Sequence, residues 1–377
     1  MLYSFTHQLG LTEHESTSSH LGRKIPDVYP QLVISLDAVA GNAATLVARA
    51  RERGVEIAGV TKAVDGEPLV GQALLSAGCT NLADSRLPAL QRLAAAGLGP
   101  LTLIRPPQPT EIAACAEIAD RVLLSDPATA GALGELVEGR PLEVLLTVDL
   151  GDRREGLLPG DVGGVAGDVD MTPGCALAGI AVNFACLSGQ LPTIELFHQA
   201  EDLLTEVAGL CDDPLLSLGG TCCLQHLDSY TPRFRTEVRS GGGPLYGYDF
   251  VTMAPLAGLE RHDPVLTGVV LECYRKPPAP PGPRGCDAFG HVPEATLPDD
   301  DAWYALLNLG RRDCEPGGLR PLEPGARLAG ATSDVTVLVV EEPLSPGDTV
   351  DFAVDYDALV RAVTSPFVEK VFVKGAS

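Results

Sequence analysis

The chain has 377 residues, 50 acidic and 27 basic, for a net charge of −23. That length accommodates a barrel-sized domain and a smaller second one, and the acidic balance excludes general partnership with nucleic acid or an anionic membrane, so an anionic ligand must be caught by a local site. No apolar run reaches the roughly 20 residues that span a bilayer, no charged-then-apolar leader opens the chain, and the cysteines have no CxxC or zinc-ligand spacing, so a soluble cytoplasmic protein with reduced thiols is expected.

Residues 1–29 carry His7, His14 and His20 without periodicity, and read as a loose extension rather than a metal site. After Pro30, residues 32–36 form a strand pattern, and a helix begins near Asp37 with Val39, Ala43, Leu46, Val47 and Ala50 on one face. Eight further strands are expected at 56–61, 80–84, 101–104, 121–125, 143–149, 177–183, 215–219 and 238–247, with helical patterns such as Ser85–Ala95, Thr110–Ile118 and Thr193–Leu210 in most gaps. Eight βα units in succession predict a (β/α)8 TIM barrel rather than a doubly wound sheet, which more often stops at five to seven strands. Residues 276–283, KPPAPPGP, cannot pair inside a sheet and read as a loop within a second domain or as part of its boundary. Runs at 326–330, Val335–Val340 and Thr349–Val354, separated by turn residues, predict a C-terminal all-β domain. The expected division is an extension (1–29), a barrel (30–250, with strand 32–36 set apart) and a β domain (251–377).

Lys62 is the only lysine between Lys24 and Lys276, and it closes the apolar stretch Ile57–Thr61. A lysine at the end of a buried strand is expected to be partly desolvated, which lowers its pKa and makes it a nucleophile or base of the kind that joins pyridoxal phosphate. The plainer reading is a lysine snorkelling at a strand end. Two glycine-rich stretches, Ser217–Cys222 and Arg239–Gly243, fall after the seventh strand and in the eighth, where barrels commonly hold phosphate. The fifth strand runs into Asp149-Leu150-Gly151-Asp152-Arg153-Arg154-Glu155-Gly156, which brings guanidiniums suited to a carboxylate to the same rim.

The motifs Gly59-Val60-Thr61-Lys62, Ala83-Asp84-Ser85-Arg86, Val148–Gly156, Asn183-Phe184-Ala185-Cys186, Gly330-Ala331-Thr332-Ser333-Asp334 and Thr364–Val368 resemble the ornithine and lysine racemase branch of the alanine racemase-like pyridoxal phosphate enzymes, from about Tyr29 to Val373. The resemblance implies a fold type III homodimer in which strand 32–36 joins the C-terminal domain and each active site receives residues from the partner's C-terminal domain. It implies that Lys62 is the Schiff-base lysine, that Arg154 faces cofactor and substrate, and that Arg239 meets the pyridine nitrogen. It also implies that Asn183, Thr221, Cys222, Gly241, Gly242 and Tyr356 lie about the cofactor. An arginine does not surrender its proton, so the pyridine beside it is a weaker electron sink, suited to brief Cα deprotonation.

Three positions depart from the family pattern: Thr221-Cys222-Cys223 in place of an Asn-Ser pair, Gly242 in place of Glu, and Val335 in place of His. No tyrosine matches the second catalytic base of alanine racemases, and Asp334, Ser333, Asp313 and Cys314 are the candidates. The expected activity is racemisation or epimerisation of an amino acid, with ornithine or lysine favoured. A diverged decarboxylase or other Cα-chemistry enzyme is the alternative, and a non-catalytic pyridoxal phosphate carrier is the reading from a different class. The C-terminal domain argues against the carrier, because small carrier-like relatives consist of the barrel alone.

Overall fold

Strand β1 (Gln31–Ser35) passes directly into helix α1 (Leu36–Glu52), because the Ser35 hydroxyl accepts a hydrogen bond from the Ala38 amide at 3.2 Å and caps the helix. The face read from the sequence is the one buried: Val39, Ala43, Leu46, Val47 and Ala50 all enter the core. The computed structural model describes residues 29–290, 292 and 297–375, so His7, His14 and His20 lie outside the described residues.

Eight parallel strands then close a barrel: β2 (Val55–Val60), β3 (Asn81–Asp84), β4 (Leu101–Leu103), β5 (Arg121–Leu124), β6 (Leu142–Val148), β7 (Cys175–Asn183), β8 (Leu215–Gly219) and β9 (Arg235–Ser240). Between them run α2 (Pro68–Ser76), α3 (Leu87–Ala95), α4 (Ile112–Ile118), α5 (Pro127–Gly134), α6 (Val162–Asp170) and α7 (Ile194–Val207). The barrel is therefore the expected TIM fold, but its last strand is not the expected 238–247. It begins earlier, at Arg235, and ends at Ser240, where three successive glycines and Pro244 turn the chain into the short helix α8 (Gly242–Tyr246). Pro244 lacks an N–H, and within a first helical turn that loss costs no intrahelical bond.

The remaining strands are β10 (Val265–Lys276), β11 (Ala302–Leu307), β12 (Leu319–Pro321), β13 (Arg327–Ala331), β14 (Thr336–Val340), β15 (Thr349–Val354) and β16 (Glu369–Val373). They form a sheet ordered β12-β15-β10-β11-β14-β13, which β1 joins by pairing antiparallel with β10 and parallel with β16. The first strand of the described chain thus belongs to the C-terminal sheet, as the resemblance implied. This part is not all β, however: Asp355 caps helix α9 (Tyr356–Thr364), whose Ala358, Leu359 and Ala362 are buried. Helix α9 packs against the turn at Lys62–Val64, so the sheet domain reaches the mouth of the barrel. The proline-rich segment is a connection inside the sheet domain, since Lys276 at its start pairs with Ala302 beyond it. Among the described residues no helix is long and apolar enough to cross a membrane.

Candidate active site

The C-terminal ends of β2 and β9 lie side by side, with Gly59 opposite Ser240. Strand β2 stops at Val60, buried Thr61 donates to the Asp84 carboxylate at 2.8 Å, and Lys62 opens a 3-10 turn. This turn corrects the expectation of a desolvated lysine. By leaving the strand one residue early, the chain takes Lys62 out of the barrel wall, and its side chain is exposed at the mouth.

Arg239 is the opposite case. It is 3 % exposed, and its two terminal nitrogens make four bonds: Nη1 to the Ser217 carbonyl (2.8 Å) and hydroxyl (2.6 Å), and Nη2 to the Val182 carbonyl (3.1 Å) and Asn183 Oδ1 (2.6 Å). Its Nε makes no hydrogen bond among the described residues, which leaves one N–H to offer a ring nitrogen. Burial disfavours the charge of the guanidinium, and nearby Glu237 counters that. Glu237, fully buried, accepts from Ser217 Oγ (2.5 Å), Asn81 Nδ2 (3.0 Å) and Arg121 Nη1 (3.4 Å), so Arg239 rests on a hydrogen-bonded polar floor inside the barrel. The sequence reading missed Glu237 and gave Ser217 no role beyond its place in a glycine-rich stretch. A signal was available: each stands two residues before a site residue on the same strand, Arg239 and Gly219, and shares its inward face.

Arg154 lies on the loop after β6. Glu155 occupies its Nε–Nη2 edge at 2.5 and 2.7 Å, so a ligand carboxylate is left the end-on edge, where Nη1 makes no hydrogen bond among the described residues. Asn183 is not free for a ligand, because its amide donates to Glu155 (3.0 Å) while its carbonyl accepts from Arg239. Asp152, 3 % exposed, accepts from the Leu187 and Ser188 amides and ties this loop to the one after β7. On the same loop the Cys186 thiol pKa is raised, by desolvation and by Asp152, against the opposing charges of Arg154, Lys62 and Arg239.

The two glycine-rich stretches meet. Thr221 Oγ1 and Ser240 Oγ are 3.2 Å apart, and the first turns at Thr221–Cys222 and Gly242–Gly243 leave N–H groups without intrahelical partners. Side chains are excluded here by space. A Cβ at Gly241 would come within 2.7 Å of the Val60 carbonyl, and one at Gly242 within 2.6 Å of the Phe250 ring. The departure at Gly242 thus has a steric reason, since Phe250 fills the place a side chain would take. Phe250 also packs edge-on to Tyr356 (5.3 Å), whose phenol pKa is raised by burial and by the charges of Asp84 and Cys186. A ring bearing a phosphate fits this donor set: an exposed lysine, one buried N–H, two hydroxyls and glycine amides open to close approach.

The candidates for a second base separate. Cys314 is corrected: it is fully buried, its Sγ points to the Gly310 carbonyl at 3.8 Å, and burial pushes its thiol up to about 12. Asp313 is spent accepting from the Gly310 amide and Ser365. Ser333 and Asp334 occupy the turn between β13 and β14, where Ser333 donates to Asp334 (2.9 Å) and Asp334 pairs with Arg312 (3.3 Å). These partners all belong to the sheet domain.

The profile of the alanine racemase N-terminal domain matches residues 34–249. Over 354 residues, 92 % of this chain and 99 % of the relative, the sequence is 32 % identical to a lysine racemase of Thermotoga maritima. It is 26 % identical to an ornithine racemase of Acetoanaerobium sticklandii, covering 91 % and 99 % of the two chains. Among solved structures, alanine racemase from Streptomyces lavendulae superposes with a TM-score of 0.67 at 21 % identity, over 92 % of this chain and 97 % of that one.

Proposed function

The chain belongs to the alanine racemase family and is an amino acid racemase, and from that premise we propose that it interconverts the enantiomers of a basic amino acid, ornithine or lysine, with pyridoxal phosphate as cofactor. The observation that carries the cofactor assignment is the pairing of an exposed Lys62 with a buried Arg239 whose one unbonded N–H is Nε. Pyridoxal phosphate, when bound, acidifies the α C–H of an amino acid joined to it. Arg239 would offer its Nε–H to the ring nitrogen and keep its own proton, which would leave the ring a weaker electron sink. Thr221, Ser240 and the amides near Cys222, Gly241 and Gly242 hold the phosphate, and Tyr356 closes that side. Lys62 holds the cofactor and exchanges the α-proton on one face. A second acid must serve the opposite face.

We place that acid, and the pocket for the substrate side chain, in the turn carrying Ser333 and Asp334 of a second copy, so that the enzyme works as a homodimer. A basic side chain brings an ammonium that must be paired when it leaves water. Asp334 supports this role although it already pairs with Arg312. Their side chains are 66 % and 58 % exposed, and ion pairs that open are weak enough to exchange partners. Ten unbridged cysteines support a reducing, cytoplasmic setting.

The test is a panel of amino acids incubated in heavy water, with Cα deuterium and enantiomer ratio read together. Lysine and ornithine should exchange fastest, and Lys62→Ala should abolish exchange. Faster exchange of neutral or acidic amino acids removes the substrate assignment, and no exchange with any amino acid in the presence of cofactor removes the reaction.

A further inference from the structure

Two cationic side chains of the site are joined by an unbroken set of hydrogen bonds. Arg154 gives its Nε–Nη2 edge to Glu155, the Asn183 amide donates to the same carboxylate at 3.0 Å, and Asn183 Oδ1 accepts from Arg239 Nη2 at 2.6 Å. We propose that Glu155 is a positioning residue for racemisation, clamping Arg154 directly and holding Arg239 through Asn183, so that one carboxylate sets both the guanidinium facing the substrate and the one facing the cofactor ring. This rests on the racemase reading above.

The orientation of the bridge follows from donor and acceptor chemistry. A carboxylate only accepts and a guanidinium only donates, so an amide between them has one allowed direction, Nδ2 to Glu155 and Oδ1 to Arg239. Turning the amide over would set donor against donor at one end and acceptor against acceptor at the other. Asn183 supplies the shorter of the two bonds to Arg239 Nη2, 2.6 Å against 3.1 Å to the Val182 carbonyl, while Nη1 is held by Ser217, so losing Asn183 loosens one end of the guanidinium. Space is closed as well: a Cβ at Gly219 would collide with Arg239 Nη2 and lie 2.5 Å from Asn183 Oδ1. The Arg154 charge disfavours that of Arg239, and Glu155 stands next to Arg154 as the nearer of its two counter-charges, 2.5 Å from Nε against 3.7 Å for Asp152. With its Nε–Nη2 edge held, Arg154 presents its end-on edge, the two Nη1 N–H groups and the second N–H of Nη2, so the clamp sets the direction from which a ligand oxygen is met.

Glu155→Gln, Glu155→Asp and Asn183→Leu, each in the full chain with its cofactor, separate the two halves of the bridge. The first readout is phenylglyoxal modification of Arg154, mapped by peptide mass spectrometry, which needs no turnover. Glu155→Gln should speed it about tenfold, the factor expected for losing a charge-assisted hydrogen bond. Glu155→Asp should restore part of the protection, and Asn183→Leu should leave Arg154 as protected as in the wild type. The second readout is the pH midpoint of the bound cofactor's visible absorbance. Asn183→Leu and Glu155→Gln should each move it by about half a pH unit or more, since a donor at the ring is displaced. Unchanged labelling in Glu155→Gln overturns the clamp, and a wild-type absorbance profile in Asn183→Leu overturns the relay. Should Glu155→Gln not fold, Glu155→Asp carries the first arm, with labelling intermediate if the clamp exists and unchanged if it does not. A wild type that racemises no basic amino acid but shows this labelling pattern removes the substrate assignment and leaves the bridge standing.

Discussion

Gly219 shows how tightly single residues are held at the mouth of the barrel. The nearest obstacle to a Cβ there is the end of an arginine, normally able to swing aside, but Arg239 is buried and tied by four hydrogen bonds, so it cannot yield without breaking some of them. Gly219→Ala should therefore cost about 1–3 kcal/mol of stability, the usual range for overpacking, read from denaturant melts, together with a loss of cofactor affinity. Wild-type affinity in the variant would show that Arg239 has room to move. At this scale the sequence pointed to Lys62, Arg154 and Arg239, and it said little of what each one touches. Glu155 stood in the quoted motif without a role, because a carboxylate beside an arginine in sequence is far more often a solvated pair than a clamp. Cys314 is misjudged from sequence for a related reason: a thiol's value as a base depends on burial, and burial is not a property of the residue type.

Helix α7 and the segment before β9 are locked together by one carboxylate. Glu201, fully buried, accepts from the Tyr230 hydroxyl (2.9 Å), the Arg233 amide (2.6 Å) and Arg233 Nε (2.8 Å), and it faces His198 Nδ1 at 2.9 Å. Burial alone would raise its pKa, but the Arg233 amide, His198, the Arg233 guanidinium and Tyr230 outweigh that and hold it below the ordinary 4.5. With a depressed folded value, the unfolded chain binds the proton more readily. The stabilisation is thus complete above about pH 4.5 and is lost as pH falls through the lower folded value. Glu201→Gln should cost about 1.5–3 kcal/mol near neutrality, and the gap to the wild type should narrow in acid as pH falls below about 4.5. Equal gaps near neutrality and in acid would show that packing, not charge, makes the contribution. Elements were legible wherever periodicity spoke, as in α1 and the barrel strands. They were misread at 241–247, where a run of glycines carries no period and the apolar residues after it fit a strand or a helix equally well.

On the scale of the whole molecule, the proposal that the site is shared between two copies makes a sharp prediction. In a hybrid of one Lys62→Ala subunit and one Asp334→Asn subunit, one site carries both lesions and the other carries neither. Mixing the two inactive or impaired homodimers under conditions that exchange subunits should restore about half of the wild-type activity per hybrid dimer, or about a quarter across an equimolar mixture, by the closed two-fold symmetry expected of such an assembly. If Asp334 serves the site of its own chain, each hybrid site keeps one lesion and no activity returns.

The sequence by itself determined the barrel, the place of Lys62 at a strand end, and the two glycine-rich stretches, because each is written in local periodicity or composition. The C-terminal strands could be counted the same way, but the helix between the last two could not, since the apolar residues around Tyr356 are too few to show a period. Only the tertiary structure decided that Lys62 is exposed, that Phe250 replaces a side chain at Gly242, and that Glu155 and Asn183 lie between two arginines 85 positions apart in the chain, Arg154 and Arg239. The reason is physical: solvent exposure and hydrogen-bond partners depend on which strand ends become neighbours when the barrel closes, and that adjacency belongs to no single stretch of sequence.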